Sequence, residues 1–195
     1  AYNTTGNNNS FIGTYAGQSN TTGDINSFFG TGAGLSNTTG GNNSFFGVNA
    51  GRDNDGSQNS FFGASAGEAN TSGGSNAFFG WTAGRSNTTG ATNSFFGTIA
   101  GTANTTGFAN SFYGFMSGFS NTTGGANVLI GNQAGQNNTS GGSNTFIGSA
   151  SGLSNTTESF NTFLGVNSNG VAGISNATAI GAHAQVMTSN TMVLG

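Results

Sequence analysis

The chain has 195 residues, of which 37 are glycine, 18 are phenylalanine and only 4% are charged, for a formal net charge of −3. The cations are Arg52 and Arg85 alone, so the Lys/Arg clusters that neutralise phosphates are missing and nucleic acid is not an expected partner. Cysteine is absent, which excludes a disulfide scaffold, and no apolar run approaches the ~20 residues that span a bilayer, so membrane insertion by this segment is not expected.

Polar, glycine-rich chains are often disordered. Two features oppose that here: the phenylalanines recur at fixed spacing, and the small net charge gives little self-repulsion. From the N-terminus, AYNTTGNNNS has neither the basic region nor the apolar stretch of a signal peptide. Tyr2-Asn3-Thr4-Thr5-Gly6 already matches Ser19-Asn20-Thr21-Thr22-Gly23, so the chain begins inside a repeat unit and Ala1 is read as a truncation or processing point in a longer array.

The unit itself is N-S-F-F-G-x-x-A-G-x-S-N-T-T-G-x-x. Its first asparagine falls at Asn9, Asn26, Asn43, Asn59, Asn76, Asn93, Asn110, Asn127, Asn144 and Asn161, each step being 17 residues except the 16 from Asn43 to Asn59. After Gly165 the pattern changes. Asn176 to Gly181 and Asn190 to Gly195 repeat the strand motif with glycines 14 residues apart. Two segments follow: residues 1–165, an array of 17-residue coils, and residues 166–195, shorter coils.

A period of 17 is too short for helix-pair repeats, which need roughly 33 residues, and glycine at this density would cost a helix ~1 kcal/mol each time. Three-to-five-residue strands closed by glycine, at one fixed period, predict an all-β parallel β-solenoid with one coil per repeat. Equivalent residues would then stack ~4.8 Å apart, ten coils making a rod of roughly 50 Å. The asparagines would form amide ladders. The glycines of N-T-T-G and A-G would take positive-φ turn positions. The variable positions at Tyr15, Gly32, Asn49, Ser65, Thr82, Ile99, Met116, Gln133 and Ala150, and at Gln18, Leu35, Arg52, Glu68, Arg85, Thr102, Phe119, Gln136 and Leu153, are expected to face water.

Adjacent strand residues point to opposite faces, so the paired aromatics make two ladders. One runs through Phe11, Phe28, Phe45, Phe61, Phe78, Phe95 and Phe112, continued by Leu129, Phe146 and Phe163; the other runs from Ile12 through Phe29, Phe46, Phe62, Phe79 and Phe96 to Tyr113, Ile130, Ile147 and Leu164. A thin coil buries one ladder and leaves the other as an apolar stripe larger than soluble monomers usually expose. The aromatic positions from Phe11 to Phe112 are therefore the expected core of a homo-oligomer. Threefold and twofold packing both hide the stripe.

The segment from Asn176 to Ala184 resembles the N-S-V-A-I-G-x-x-A coil of YadA-like trimeric autotransporter adhesin heads, and the spacing to Gly195 is similar. The 17-residue unit resembles the repeats of bacterial and phage-type tail-fibre proteins. The resemblance implies a left-handed β-roll, intertwined or packed as a homotrimer, outside the cell, on its surface or on a phage-like particle. The period and the Phe-Phe pair depart from the adhesin heads.

Few residues suggest chemistry. His183 is the sole histidine and has no second histidine or cysteine to share a zinc ion. Asp53-Asn54-Asp55-Gly56 gives a weak calcium candidate in Asp53 and Asp55. Glycosylation sequons recur at Asn20, Asn37, Asn87, Asn104, Asn121 and Asn155, at positions that turn and ladder roles also explain. Trp81, Phe115 and Phe119, with Phe108 and Met116 nearby, form a candidate ligand patch for a cell-surface glycan or matrix protein. No cofactor is expected, and no carboxylate pair or nucleophile–base pair suggests an enzyme. The expected role is a structural or adhesive extracellular fibre segment. An end-to-end filament subunit is the alternative. Ice binding through the regular threonine pairs, such as Thr21-Thr22 and Thr88-Thr89, is a third reading, weakened where the pairs are interrupted.

Overall fold

The computed structural model describes residues 3–195; Ala1 and Tyr2, where the first repeat match begins, lie outside the described residues. Each unit offers two large apolar side chains between a small residue and a glycine, a run that suits extended backbone and then ends it. One strand forms per unit: β1 (Ser10–Ile12), β2 (Ser27–Phe29), β3 (Ser44–Phe46), β4 (Ser60–Phe62), β5 (Ala77–Phe79), β6 (Ser94–Phe96), β7 (Ser111–Tyr113), β8 (Val128–Ile130), β9 (Thr145–Ile147) and β10 (Thr162–Leu164). The C-terminal coils add β11 (Asn169–Gly170), β12 (Thr178–Ile180), β13 (Gln185–Val186) and β14 (Met192–Leu194).

All but β11 and β13 form one twelve-stranded parallel sheet in chain order, and β11 and β13 pair in a second. The register is the repeat itself: Phe11 lies over Phe28 and Ile12 over Phe29. The 16-residue unit keeps it, Phe45 pairing with Phe61. The described residues contain no helix. The chain is thus an all-β parallel β-solenoid, and the sheet runs without a break from the 17-residue coils into the shorter ones.

Of the two ladders, the first is inside. Phe28, Phe45, Phe61, Phe78, Phe95, Phe112, Leu129 and Phe146 are 0% exposed. Neighbouring rings stack with centroids 4.7–5.0 Å apart. The return side of each coil closes on them with the alanine of A-G (Ala33, Ala50, Ala66, Ala83, Ala100), also buried. The glycine after it must be glycine. Gly67 has φ +57°, and a Cβ there would sit 2.5 Å from Cε2 of Phe61. Past Phe163 the inner row shrinks to Ala179 and Val193, and Ile174 and Val186 join the same core.

The asparagines divide the polar work. In S-N-T-T-G each amide Nδ2 donates to the Oδ1 of the preceding coil at 2.5–3.3 Å, a ladder from Asn3 to Asn155. In N-S-F-F-G the amide serves the backbone instead. Its Oδ1 accepts the N–H of the equivalent residue one coil on at 2.9–3.0 Å, and its Nδ2 donates to a glycine carbonyl, as Asn26 does to Gly40. Among the described residues no buried side-chain nitrogen or oxygen lacks a partner. Satisfied buried amides specify which surfaces meet, because an unmade bond costs about 1–3 kcal/mol.

Two expectations about turns change. The N-T-T-G glycines do not have positive φ; the positive-φ glycines are those of A-G, those following the strands from β1 to β10 and β12, and Gly32 and Gly173. Gly23, Gly40 and their equivalents are glycine because a Cβ would strike the carbonyl oxygen of the next coil and the asparagine ladder beside it. The variable residues from Tyr15 to Ala150 are not simply solvent-facing. They are the left-handed corners, with φ of 53–69°, and stacking buries Gly32 and Thr82 and half-buries most others. The second variable series, from Gln18 to Leu153, is mostly half-buried for the same reason, with Glu68 buried.

A second left-handed corner precedes each strand-motif asparagine, and the chain places Ile25 there with φ 58°. A branched side chain pays about 1–2 kcal/mol for that conformation, whereas asparagine, found at the same corner as Asn42, tolerates it. Ile25 is exposed, so Ile25→Asn loses little packing. Its thermal midpoint should rise, corresponding to roughly 0.5–1 kcal/mol; an unchanged or lower midpoint would contradict this cost.

Candidate functional site

The outward row is the largest chemical feature of the surface. Ile12, Phe29, Phe46, Phe62, Phe79, Phe96, Tyr113, Ile130, Ile147, Leu164, Ile180 and Leu194 occupy equivalent places on the twelve strands. From Phe29 to Tyr113 the rings stack at 4.6–4.9 Å, interplanar angles being 2–9°. None of the twelve is buried, and Phe46 is 36% exposed. Of the aromatic positions expected to form an assembly core, Phe28, Phe45, Phe61, Phe78, Phe95 and Phe112 are sealed inside their own coil, and Phe11 packs against that core. Phe29, Phe46, Phe62, Phe79 and Phe96 remain available to a partner.

Trp81 and Phe115 stand two residues after their strands' outward aromatics, at equivalent positions two coils apart. They are 58% and 46% exposed. Phe108 is also exposed and lies against Gly125, before the next strand, while Phe119 and Met116 are half-buried. Apart from the equivalent Trp81 and Phe115, these side chains fall at different positions of the repeat, and no aromatic stacking joins them among the described residues.

The sequons belong to the interior. Asn20, Asn37, Asn87, Asn104 and Asn121 are 0% exposed and Asn155 is 4% exposed, their amides committed to the ladder. A glycosylating enzyme cannot reach them in the folded chain. His183 is an exposed left-handed corner, φ 61°, whose backbone N–H donates to the carbonyl of Val166. In most of the threonine pairs the first hydroxyl donates to the next coil's threonine carbonyl, as Thr88 does to Thr105 at 3.1 Å, whereas Thr38 donates to Asp55 Oδ2; the second residue is exposed.

The two candidate calcium ligands take different partners. Asp53 takes the guanidinium of Arg52 at 3.0 and 2.7 Å, and this bond holds its carboxyl below the usual range. Asp55 fills a different role. In an ordinary coil three successive N–H groups, such as those of Thr88, Thr89 and Gly90, converge on the carbonyl of Thr105 at 2.9–3.2 Å. In the short coil Asp55 stands at that threonine's place, and its side-chain Oδ1 rather than its carbonyl is the acceptor. It accepts from the N–H groups of Thr38, Thr39 and Gly40 at 2.9, 2.7 and 3.1 Å. Such a concave set of N–H groups suits an anion. Among the described residues no group of three or more His, Cys, Asp or Glu is placed to hold a metal.

Glu158 is a residue sequence reasoning passed over. It stands where N-T-T-G becomes N-T-T-E, at the last 17-residue coil. Its Oε2 accepts from the N–H groups of Thr156 and Thr157 at 2.6 and 2.9 Å, and Oε1 from Gly173 at 2.6 Å. It closes the column of N–H nests where the shorter coils have no threonine carbonyl to offer. The one N-T-T-E in the array was the available signal.

Burial alone would raise both carboxyls, but the backbone donors outweigh it and hold Asp55 and Glu158 below their ordinary values. Groups with depressed folded pKa contribute stability above their unfolded values, about 3.9 and 4.3, which is lost as pH falls through the folded values. The thermal midpoint should therefore drop below about pH 4. Asp55→Asn with Glu158→Gln should lower it at pH 7 and flatten the acid dependence. An unchanged pH profile would refute these roles.

Three more charged side chains, Arg52, Glu68 and Arg85, meet one another. Glu68 bonds both arginines, Arg52 Nη1 at 2.7 Å and Arg85 Nε at 3.1 Å. No family model, curated protein or solved structure matches this chain.

Proposed function

We propose that this chain is a non-catalytic structural segment of an extracellular or cell-surface fibre, or of the fibre of a phage-like particle, whose rods associate as a homotrimer through their outward rows. The observation that carries the reading is that row: twelve apolar side chains, roughly 50 Å from end to end at the strand spacing, with no charged residue among them and none on the flanking small-residue row. Soluble monomers rarely leave a stripe of that extent to water. A second copy has the same rise per coil, so every ring of one rod meets a ring of the other, which a partner of different period cannot do. Three rows can close on one axis, and the resemblance to trimeric adhesin heads and tail fibres favours that number.

Equilibrium sedimentation of the full chain tests this. The expected mass is three times that of the chain. Phe79→Ser with Phe96→Ser should give a folded monomer with an unchanged circular dichroism spectrum. A wild-type chain that stays monomeric at high micromolar concentration would defeat the proposal.

A further inference from the structure

Four of the chain's seven side chains of Arg, Asp and Glu type, namely Arg52, Asp53, Glu68 and Arg85, lie in one stack. They alternate in sign. Asp53 grips Arg52 through Nε and Nη2, Arg52 reaches Glu68 through Nη1, and Glu68 turns its other oxygen to Arg85 Nε. The two arginines end differently. Arg52 has a carboxylate on each side. Arg85 has one bond, through Nε, and its Nη1 and Nη2 bond nothing among the described residues. The neighbour that serves Arg52 is Asp53; the equivalent neighbour of Arg85 is Ser86. The next residue along the stack is Thr102, neutral, with its hydroxyl given to the carbonyl of Thr82. The alternation therefore stops one carboxylate short.

A cleft of about 220 Å³ opens at this place, lined by Arg52, Glu68, Ala69, Arg85 and Ser86. Planar guanidinium with free terminal nitrogens binds carboxylate through paired bonds, and the side chain of Arg85 is 56% exposed. The Ser86 hydroxyl has no hydrogen-bond partner among the described residues and can take an adjacent hydroxyl. We propose that the cleft beside Arg85 binds a carboxylate, and that the acid group of a uronic-acid sugar is its occupant. The cleft's volume fits one sugar ring with its acid group. The fork pairs with both carboxylate oxygens, Ser86 meets a ring hydroxyl, and Glu68 fixes the guanidinium in place from behind. The site stands whether or not the rods associate, since it uses none of the outward row.

Two arginines give two side-chain Nε–H signals in a nitrogen-correlated NMR spectrum of the full chain, which makes the test direct. Sodium glucuronate should shift the Arg85 signal saturably with half-saturation in the millimolar range, while the Arg52 signal stays. Acetate should shift it several-fold more weakly, and glucose, or sodium chloride at matched ionic strength, should leave it. Ser86→Asp supplies the missing carboxylate as Asp53 does. In that variant the signal should move toward the Arg52 position and lose its response to glucuronate. Equal responses to acetate and glucuronate would remove the sugar as the source. A glucuronate response no larger than that of chloride, or one shared equally by both arginines, would overturn the site.

Discussion

Asn104→Asp is expected to destabilise the rod by about 3–5 kcal/mol at neutral pH, the usual cost of an uncompensated buried charge. Asn104 is fully buried. Its Nδ2 donates to Asn87 Oδ1 at 2.7 Å and to the Gly107 carbonyl at 3.1 Å, while its Oδ1 accepts from Asn121 at 2.8 Å. A carboxylate keeps the last bond and turns the first two into oxygen facing oxygen. Asn104→Ala orphans the Asn87 oxygen and should cost less, about 1–3 kcal/mol. The sign with pH separates the two variants. The introduced carboxyl is raised above its unfolded value of about 3.9, so its penalty grows as pH rises through that window and fades in acid. Urea midpoints at pH 4 and pH 7, each measured against wild type, should converge for Asn104→Asp and stay apart by a constant for Asn104→Ala. A pH-independent deficit in the aspartate variant would show that the ladder position is not closed to water.

The second large effect separates the two aromatic rows. Phe95→Ala is expected to cost about 3–5 kcal/mol, as other buried phenylalanine truncations do. Its ring lies between those of Phe78 and Phe112 at 4.8 and 4.7 Å, and Gly101 beneath it cannot move in, because its backbone is in the bonding column with Ser117. The loss should be independent of protein concentration. Phe96→Ala, one residue on, removes an outward ring and should cost under about 1.5 kcal/mol in dilute solution, its larger effect being on self-association. Because each coil touches only its neighbours, a hole at Phe95 should also divide the rod. Hydrogen exchange should quicken in the strands around β6 before it does at β2 or β9. Equal losses from the two substitutions would mean that the outward row is as enclosed as the inner one.

The charged devices show what kind of signal a repeat carries. Departures from the consensus mark them: Asp55 where a threonine should be, Glu158 where a glycine should be, Arg52, Glu68 and Arg85 at one variable position. Stacking equivalent residues is enough to bring the last three together. That Asp55 and Glu158 fill nests of backbone N–H groups was not legible, because those nests exist only once one coil's turn lies over the next.

The period, the strands and their register were set by local chemistry: two apolar residues, a glycine stop and a spacing of 17 leave a parallel stack as the arrangement that pairs every strand. The same patterning required one aromatic row inside and one outside, since adjacent strand side chains diverge. Which row went inside was decided by the return of the chain, for Ala33 and Gly34 and their equivalents close over Phe28 and not over Phe29. The tertiary structure also decided that the N-T-T-G glycines serve close approach and that the sequon asparagines are interior. Both depend on the distance between neighbouring coils, a quantity that arises when the coils stack and is written in no single unit.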